Sequence, residues 1–210
     1  MTKLGTGIEI LDQRFDGGFP EGSVITLIAE PTSTAELFLY DLSQTRKTHF
    51  FTTTRSESVV RTNMELFDMD LESLEIYDLY SQHEDVESFV SECIENVEGN
   101  DNIIFDTAST MVEENPEFID IINEVYQKSH EKNALTYIYM IKDDNSPLSY
   151  DESLLPYISD VVMEMMVDIS GEKVENQLAI TKLRGEEPPS RTIKLNIGTS
   201  ISIDTSRDIA

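Results

Sequence analysis

Apolar positions along this chain switch repeatedly between two periods. Runs at 48–53, 74–79 and 134–141, with Val24–Ala29 and Asn102–Asp106, have the short apolar composition of strands. Between them, helical spacing puts Ile8, Leu11 and Phe15 on one side of 6–15, and Leu37, Phe38, Tyr40 and Leu42 on one side of 35–44. The same spacing joins Val86, Phe89, Val90, Cys93, Ile94 and Val97 over 84–97. Further helices are expected over 56–66 and from near Pro116 to 132, the second packing through Phe118, Ile121, Ile122 and Val125. Strands alternating with helices form a mainly parallel sheet with helices on its faces. After a turn at 16–22 rich in glycine, and a polar loop at 143–147, the last third changes character. There, 160–169, 177–183, 192–197 and 200–203 read as strands with short connections, added antiparallel, with Gly171 and Glu172 in the first turn. Neither repeat nor linker interrupts the pattern, so residues 1–210 read as one domain.

The connection after Val24–Ala29 carries the main chemical signal. Glu30-Pro31-Thr32-Ser33-Thr34-Ala35-Glu36-Leu37 stands in the strand–loop–helix context of a phosphate-binding loop, G-x-x-x-x-G-K-[ST]. On that template Glu30 and Ala35 replace the glycines, Glu36 replaces the lysine, and Leu37 replaces the hydroxyl that holds Mg²⁺. A carboxylate aimed at a triphosphate inverts the sign of the site. Thr32, Ser33 and Thr34 keep hydroxyls and amides that can face an anion ahead of a helix. Glu30 and Glu36 would flank that anion, however, and bulky residues resist the positive φ that glycine allows. Glu36, in the helix's first turn, suits the helix dipole and is expected to cap the helix itself. The site is thus read as filled by the protein's own carboxylate, with no ATP or Mg²⁺ cofactor.

Charge narrows the partners. The chain holds 41 Asp and Glu against 15 Lys and Arg, a net charge of −26. Self-repulsion of that size destabilises a compact chain in dilute buffer, and multi-molar salt screens it. Acidity spread over every segment, with few lysines and no tryptophan, resembles cytoplasmic proteins of extreme halophiles. Cations cluster only at Arg46-Lys47 and at the spaced Lys182, Arg184 and Arg191, which predicts against direct binding of nucleic acid. The single Cys93 rules out an internal disulfide and is expected in the core. His49, His83 and His130 are scattered and form no metal motif, while Met163, Met165 and Met166 are expected to be core residues. The first residues lack the apolar stretch of a signal peptide, and no run approaches the ~20 residues that span a bilayer. A soluble, cytoplasmic protein is expected.

Two further motifs bracket the chain. Thr6-Gly7-Ile8-Glu9-Ile10-Leu11-Asp12 with Gly17-Gly18-Phe19-Pro20-Glu21-Gly22-Ser23, and Lys182-Leu183-Arg184-Gly185 near the other end, resemble the RecA superfamily, specifically the single-domain KaiC-like and RadA-like ATPases of archaea. The resemblance implies a three-layer RecA-like α/β fold. It also implies an attacking-water glutamate after the second strand, where Thr54 stands, with Glu57 a substitute only under another register. Asp106 matches the Walker B acid that reaches Mg²⁺, or is simply a polar strand end facing the vacated cleft. Lys182 and Arg184 match a pair that projects across the subunit interface towards a neighbour's ATP, or else face solvent on a surface strand. The expected function is that of a catalytically inactive relative, a regulatory or scaffolding subunit associating with itself or with an intact KaiC-like or RadA-like ATPase. The alternatives are a weak or atypical ATP-binding switch using Asp106 and Glu57, and a recombination-mediator-like relative acting on DNA through an active partner.

Overall fold

A computed structural model describes residues 2–79, 81, 85–115, 117–142, 148–170, 172–198 and 201–203. His83, Pro116, the loop at 143–147 and Gly171 lie outside the described residues. The elements in chain order are β1 (Lys3–Leu4), α1 (Glu9–Arg14), β2 (Phe19–Pro20), β3 (Val24–Ala29), α2 (Ala35–Ser43), β4 (Thr48–Thr52), α3 (Glu57–Glu65), β5 (Leu74–Asp78) and α4 (Val86–Ile94). They continue with β6 (Asn102–Asp106), α5 (Ala108–Glu114), α6 (Phe118–Lys132), β7 (Leu135–Ile141), α7 (Tyr150–Ile158), β8 (Val161–Ser170), β9 (Lys173–Leu183), β10 (Ile193–Ile197) and β11 (Ile201–Ile203).

Nine strands form one sheet in the order β11-β10-β9-β8-β3-β7-β6-β4-β5, and β1 pairs with β2 apart from it. From β8 to β5 every neighbouring pair is parallel, while β9, β10 and β11 are antiparallel. The antiparallel addition therefore begins one strand later than the sequence suggests. β8 pairs parallel with β3 because α7, absent from the sequence-based reading, carries the chain across the sheet before it.

Two apolar layers sandwich the sheet. α1, α2 and α3 pack one face through Leu11, Phe38, Leu42, Val60 and Met64. α4 to α7 pack the other through Val90, Cys93, Met111, Phe118, Ile122 and Leu155. Strands β3, β4, β6 and β7 are covered on both sides, which is why they read as continuous apolar runs. Phe51 and Phe105 stack at 4.7 Å across neighbouring strands, and each such fully buried ring stabilises by roughly 1.5–3 kcal/mol. Met163 and Met165 sit in the core as expected, whereas Met166 points to the other face and is partly exposed.

The opening motif has a local structural reason. The Asp12 carboxylate accepts from the Thr6 amide (2.6 Å), the Thr6 hydroxyl (2.9 Å) and the Gly7 amide (3.2 Å), closing the turn into α1. Gly18 has φ +110°, and a Cβ there would stand 2.0 Å from the Leu4 carbonyl oxygen, so only glycine lets the strands of the small pair approach.

Candidate functional site

Parallel strands end together, and here β3, β4 and β6 deliver their C-terminal residues to one cleft. The Glu30–Leu37 loop closes tightly on itself. The Ser33 amide (3.0 Å) and hydroxyl (2.7 Å) both donate to the Glu30 carbonyl, and no residue of the loop has a positive φ. Thr32 and Thr34 are exposed, while Ala35 and Leu37 turn into the core beneath α2. Leu37 thus serves packing at the position of a metal-binding hydroxyl.

Glu36 does not cap α2. Its carboxylate leans into the cleft, where it pairs with Arg55 and accepts from the Tyr40 hydroxyl one turn further along α2, with the Asn63 amide at 3.4 Å. The guanidinium of Arg55 outcompetes the helix's own amides because it carries a full charge in a fork that fits carboxylates. Its other arm, Nη2, donates to Asp106 Oδ2 at 2.6 Å. One arginine therefore lies between the Glu36 carboxylate in the first turn of α2 and the acid at the end of β6.

Local sequence explains the placement. β4 and β6 pair with Thr52 opposite Asp106. The Thr52 hydroxyl donates to the Arg55 carbonyl at 2.9 Å, and the Thr53 amide donates to the Asp106 carbonyl at 2.9 Å. These bonds turn the chain back after β4, so that Thr54 faces solvent and Arg55 returns to the cleft. Glu57 goes elsewhere: it begins α3 and pairs with Arg61 at 2.7 Å, away from Asp106.

Asp106 is 2% exposed. Burial pushes its carboxyl above the ordinary range, Arg55 pulls it part of the way back, and Glu36 adds a smaller push. Burial alone would lower the Arg55 guanidinium, but Asp106, Tyr40 and Glu36 outweigh it and hold its proton more tightly than usual. Burial, then Glu36, raises the Tyr40 hydroxyl. Tyr139, on β7 beside the cleft, is pushed up to about 12, chiefly by burial and then by Asp106. Arg55 Nε is buried without a hydrogen-bond partner, an imperfection of the kind that costs about 1–3 kcal/mol.

Within this chain, Lys182 and Arg184 are held against the end of α7. The Lys182 ammonium donates to the carbonyls of Pro156 (3.0 Å) and Tyr157 (2.6 Å). Arg184 donates to the Ile158 carbonyl at 2.9 Å and pairs with Asp160 at 2.6 Å. Together they close the C-terminal end of α7, which has no basic residue in its own last turn.

The remaining candidates are structural. Cys93 is buried in the core, and burial pushes its thiol up to about 11. His49 is fully buried at the opposite end of the sheet, with Nε2 3.2 Å from Asp101 and Nδ1 3.1 Å from the Tyr77 hydroxyl, which itself donates to Glu75 at 2.6 Å. No group of His, Cys, Asp and Glu among the described residues could hold a metal ion. No helix among them is long and apolar enough to cross a membrane.

Sequence reasoning found Glu36 and Asp106 but missed Arg55. Its signal was a lone arginine directly after a strand whose parallel neighbour ends in an aspartate.

Comparison with known proteins agrees with this architecture. No curated protein matches the sequence. Among solved structures, the KaiC-like protein PH0186 from the hyperthermophilic archaeon Pyrococcus horikoshii OT3 superposes with a TM-score of 0.79 at 15% identity, over 96% of this chain and 98% of that one. At that identity the likeness shows a shared RecA/KaiC-like fold. The sequence model of a family of unknown function, DUF7125, matches residues 3–210, and the chain belongs to that family.

Proposed function

We propose that this chain is a KaiC-like domain without nucleotide hydrolysis, acting as a regulatory or scaffolding subunit through association with a second copy or with an intact KaiC-like or RadA-like ATPase. One observation carries the reading: Arg55 spans Glu36 and Asp106, so the cleft has its own cation and its own anions. A nucleotide triphosphate would meet two carboxylates, and Mg²⁺ would have to displace a guanidinium from Asp106. The loop offers neither the glycines nor the lysine that this chemistry uses together. The chain's acidity belongs to the same proposal: a cytoplasmic protein of a salt-loving archaeon, stable where −26 charges are screened.

Lys182 and Arg184 are the residues we propose to meet a neighbour. To do so they would give up the carbonyls at the end of α7, which couples association to that helix.

Calorimetry with ATP and ADP, in multi-molar KCl with Mg²⁺, tests the first half. The expected result is no heat from folded protein. Micromolar binding, or hydrolysis abolished by Asp106→Ala, would overturn it in favour of an ATP-dependent switch. Sedimentation alone and with an intact KaiC-like ATPase tests the second half: association weakened by Arg184→Ala supports it, and a monomer indifferent to that ATPase refutes it. Single-strand DNA binding that falls steeply with salt would point to the DNA-acting alternative.

A further inference from the structure

Among the described residues, one pocket inverts the sign of the chain's charge. An open pocket of about 980 Å³ lies between α6, α7 and the strands β3, β8 and β9, on the face opposite α1 to α3. Among the described residues, Lys142, Lys182 and Arg184 line it against one carboxylate, Glu164. Over the whole chain, acids outnumber Lys and Arg by 41 to 15. The neighbouring pocket of about 540 Å³, which shares Arg184, follows the chain's habit, with Glu21, Asp160 and Glu186 against Lys3 and Arg184. Of these two pockets, the larger is the one whose described lining carries a cationic excess.

The charges there are only partly used. Lys182 makes no ion pair among the described residues, its bonds going to two carbonyls. Lys142 is 41% exposed and reaches Glu164 only at 3.9 Å. Burial, then the Arg184 charge, lowers the Lys182 ammonium, the direction expected where positive charge lacks a full counter-charge. Two aromatic walls complete the pocket. Tyr126 comes from α6, and Tyr157 from α7 is 77% exposed with Lys182 5.9 Å from its ring centre.

We propose that this pocket binds an organic anion, a phosphate or carboxylate group carried on a planar ring, with Lys142 and Lys182 facing the charge and Tyr157 the ring. Size agrees, since ligand pockets run to roughly 300–1,000 Å³ with an apolar body and a few convergent charges. The proposal is independent of the fate of the nucleotide cleft, because none of Glu36, Arg55 and Asp106 lines this pocket, and it concerns the unassociated chain, in which Lys182 stays on the pocket wall.

Calorimetry on the whole chain, in the lowest KCl that keeps it folded, tests it with phenyl phosphate, benzoate and inorganic phosphate. Saturable binding of phenyl phosphate or benzoate is expected, tighter than that of inorganic phosphate, and the tighter of the two names the anionic group. Lys142→Glu should weaken it about tenfold or more, because one of the two cations facing the anion changes sign. Tyr157→Ser should weaken the ring-bearing probes and leave inorganic phosphate unchanged. Neither side chain anchors the core, so both variants are expected to fold, which an unchanged unfolding midpoint would verify. Absence of saturable binding by both ring-bearing probes, or binding unchanged in Lys142→Glu, would overturn the proposal. Arg55→Ala is the control: a loss of binding there would place the anion in the nucleotide cleft and refute this site.

Discussion

Two basic side chains in this molecule each stand between two acids, at opposite ends of the same strands. Arg55 lies between Glu36 and Asp106 where the parallel strands end. His49 lies where they begin, between Asp101 and the Glu75–Tyr77 pair. The arginine keeps its charge at any pH a protein survives. The acids also differ. Burial raises Asp106, so that its contribution to stability is greatest in acid and falls as pH rises through its folded value. The hydrogen bond from Tyr77 outweighs burial at Glu75 and lowers it, so that its contribution is present above the ordinary carboxylate range and lost as pH falls. One architecture thus responds to acid with opposite signs at its two ends, according to whether burial or a hydrogen bond dominates.

The comparison is broken most severely by Arg55→Ala. It leaves Asp106 buried and unpaired, and stability at neutral pH should fall by about 3 kcal/mol, the low end for broken buried pairs because the guanidinium is 24% exposed. Urea unfolding would measure this, and the deficit should shrink in acid, where Asp106 is protonated. The double variant Arg55→Ala with Asp106→Asn should regain most of it; additive losses would mean that the pair is not the reason. His49→Ala comes next, at about 2 kcal/mol, since it empties a buried site but leaves Asp101 its bond from the Glu98 amide at 2.8 Å. Lys182→Met should cost about 1 kcal/mol by uncovering the end of α7, read as faster amide exchange at residues 155–159. Smallest is Glu75→Gln, at about 0.5 kcal/mol or less because the side chain is 44% exposed; its signature is a flatter loss of stability towards acid. A steeper loss would reverse the sign argued for that end.

Much of the fold was legible because it is written locally. The strands β3, β4, β6 and β7 fall within a residue of their apolar runs, since burial on both faces leaves little room for polar residues. The helices α5 and α7 were missed for different reasons. α5 has only seven residues, too few for a period to declare itself. α7 contains Pro156, which argues against a helix, although Ser149 and Glu152 form the capping box that announces one. At the site, the sequence placed Glu36 at the start of α2 and Asp106 at the end of β6, because each adjoins an element that is written locally. It concealed Arg55, whose partners lie 19 and 51 residues away and meet it only once strand order is known.

The mutual dependence of Glu36, Arg55 and Asp106 also bears on descent. Glu36→Lys alone would set a second cation against Arg55, with one acid between them. Loss of Arg55 alone would leave two acids facing each other across the cleft. Either change made alone gives a chain less stable than its parent, while the two together need not. The three side chains behave as a ratchet: a lineage that changed them one at a time would have to cross a valley of unstable intermediates, which favours lineages that keep the clamp and elaborate the surfaces around it.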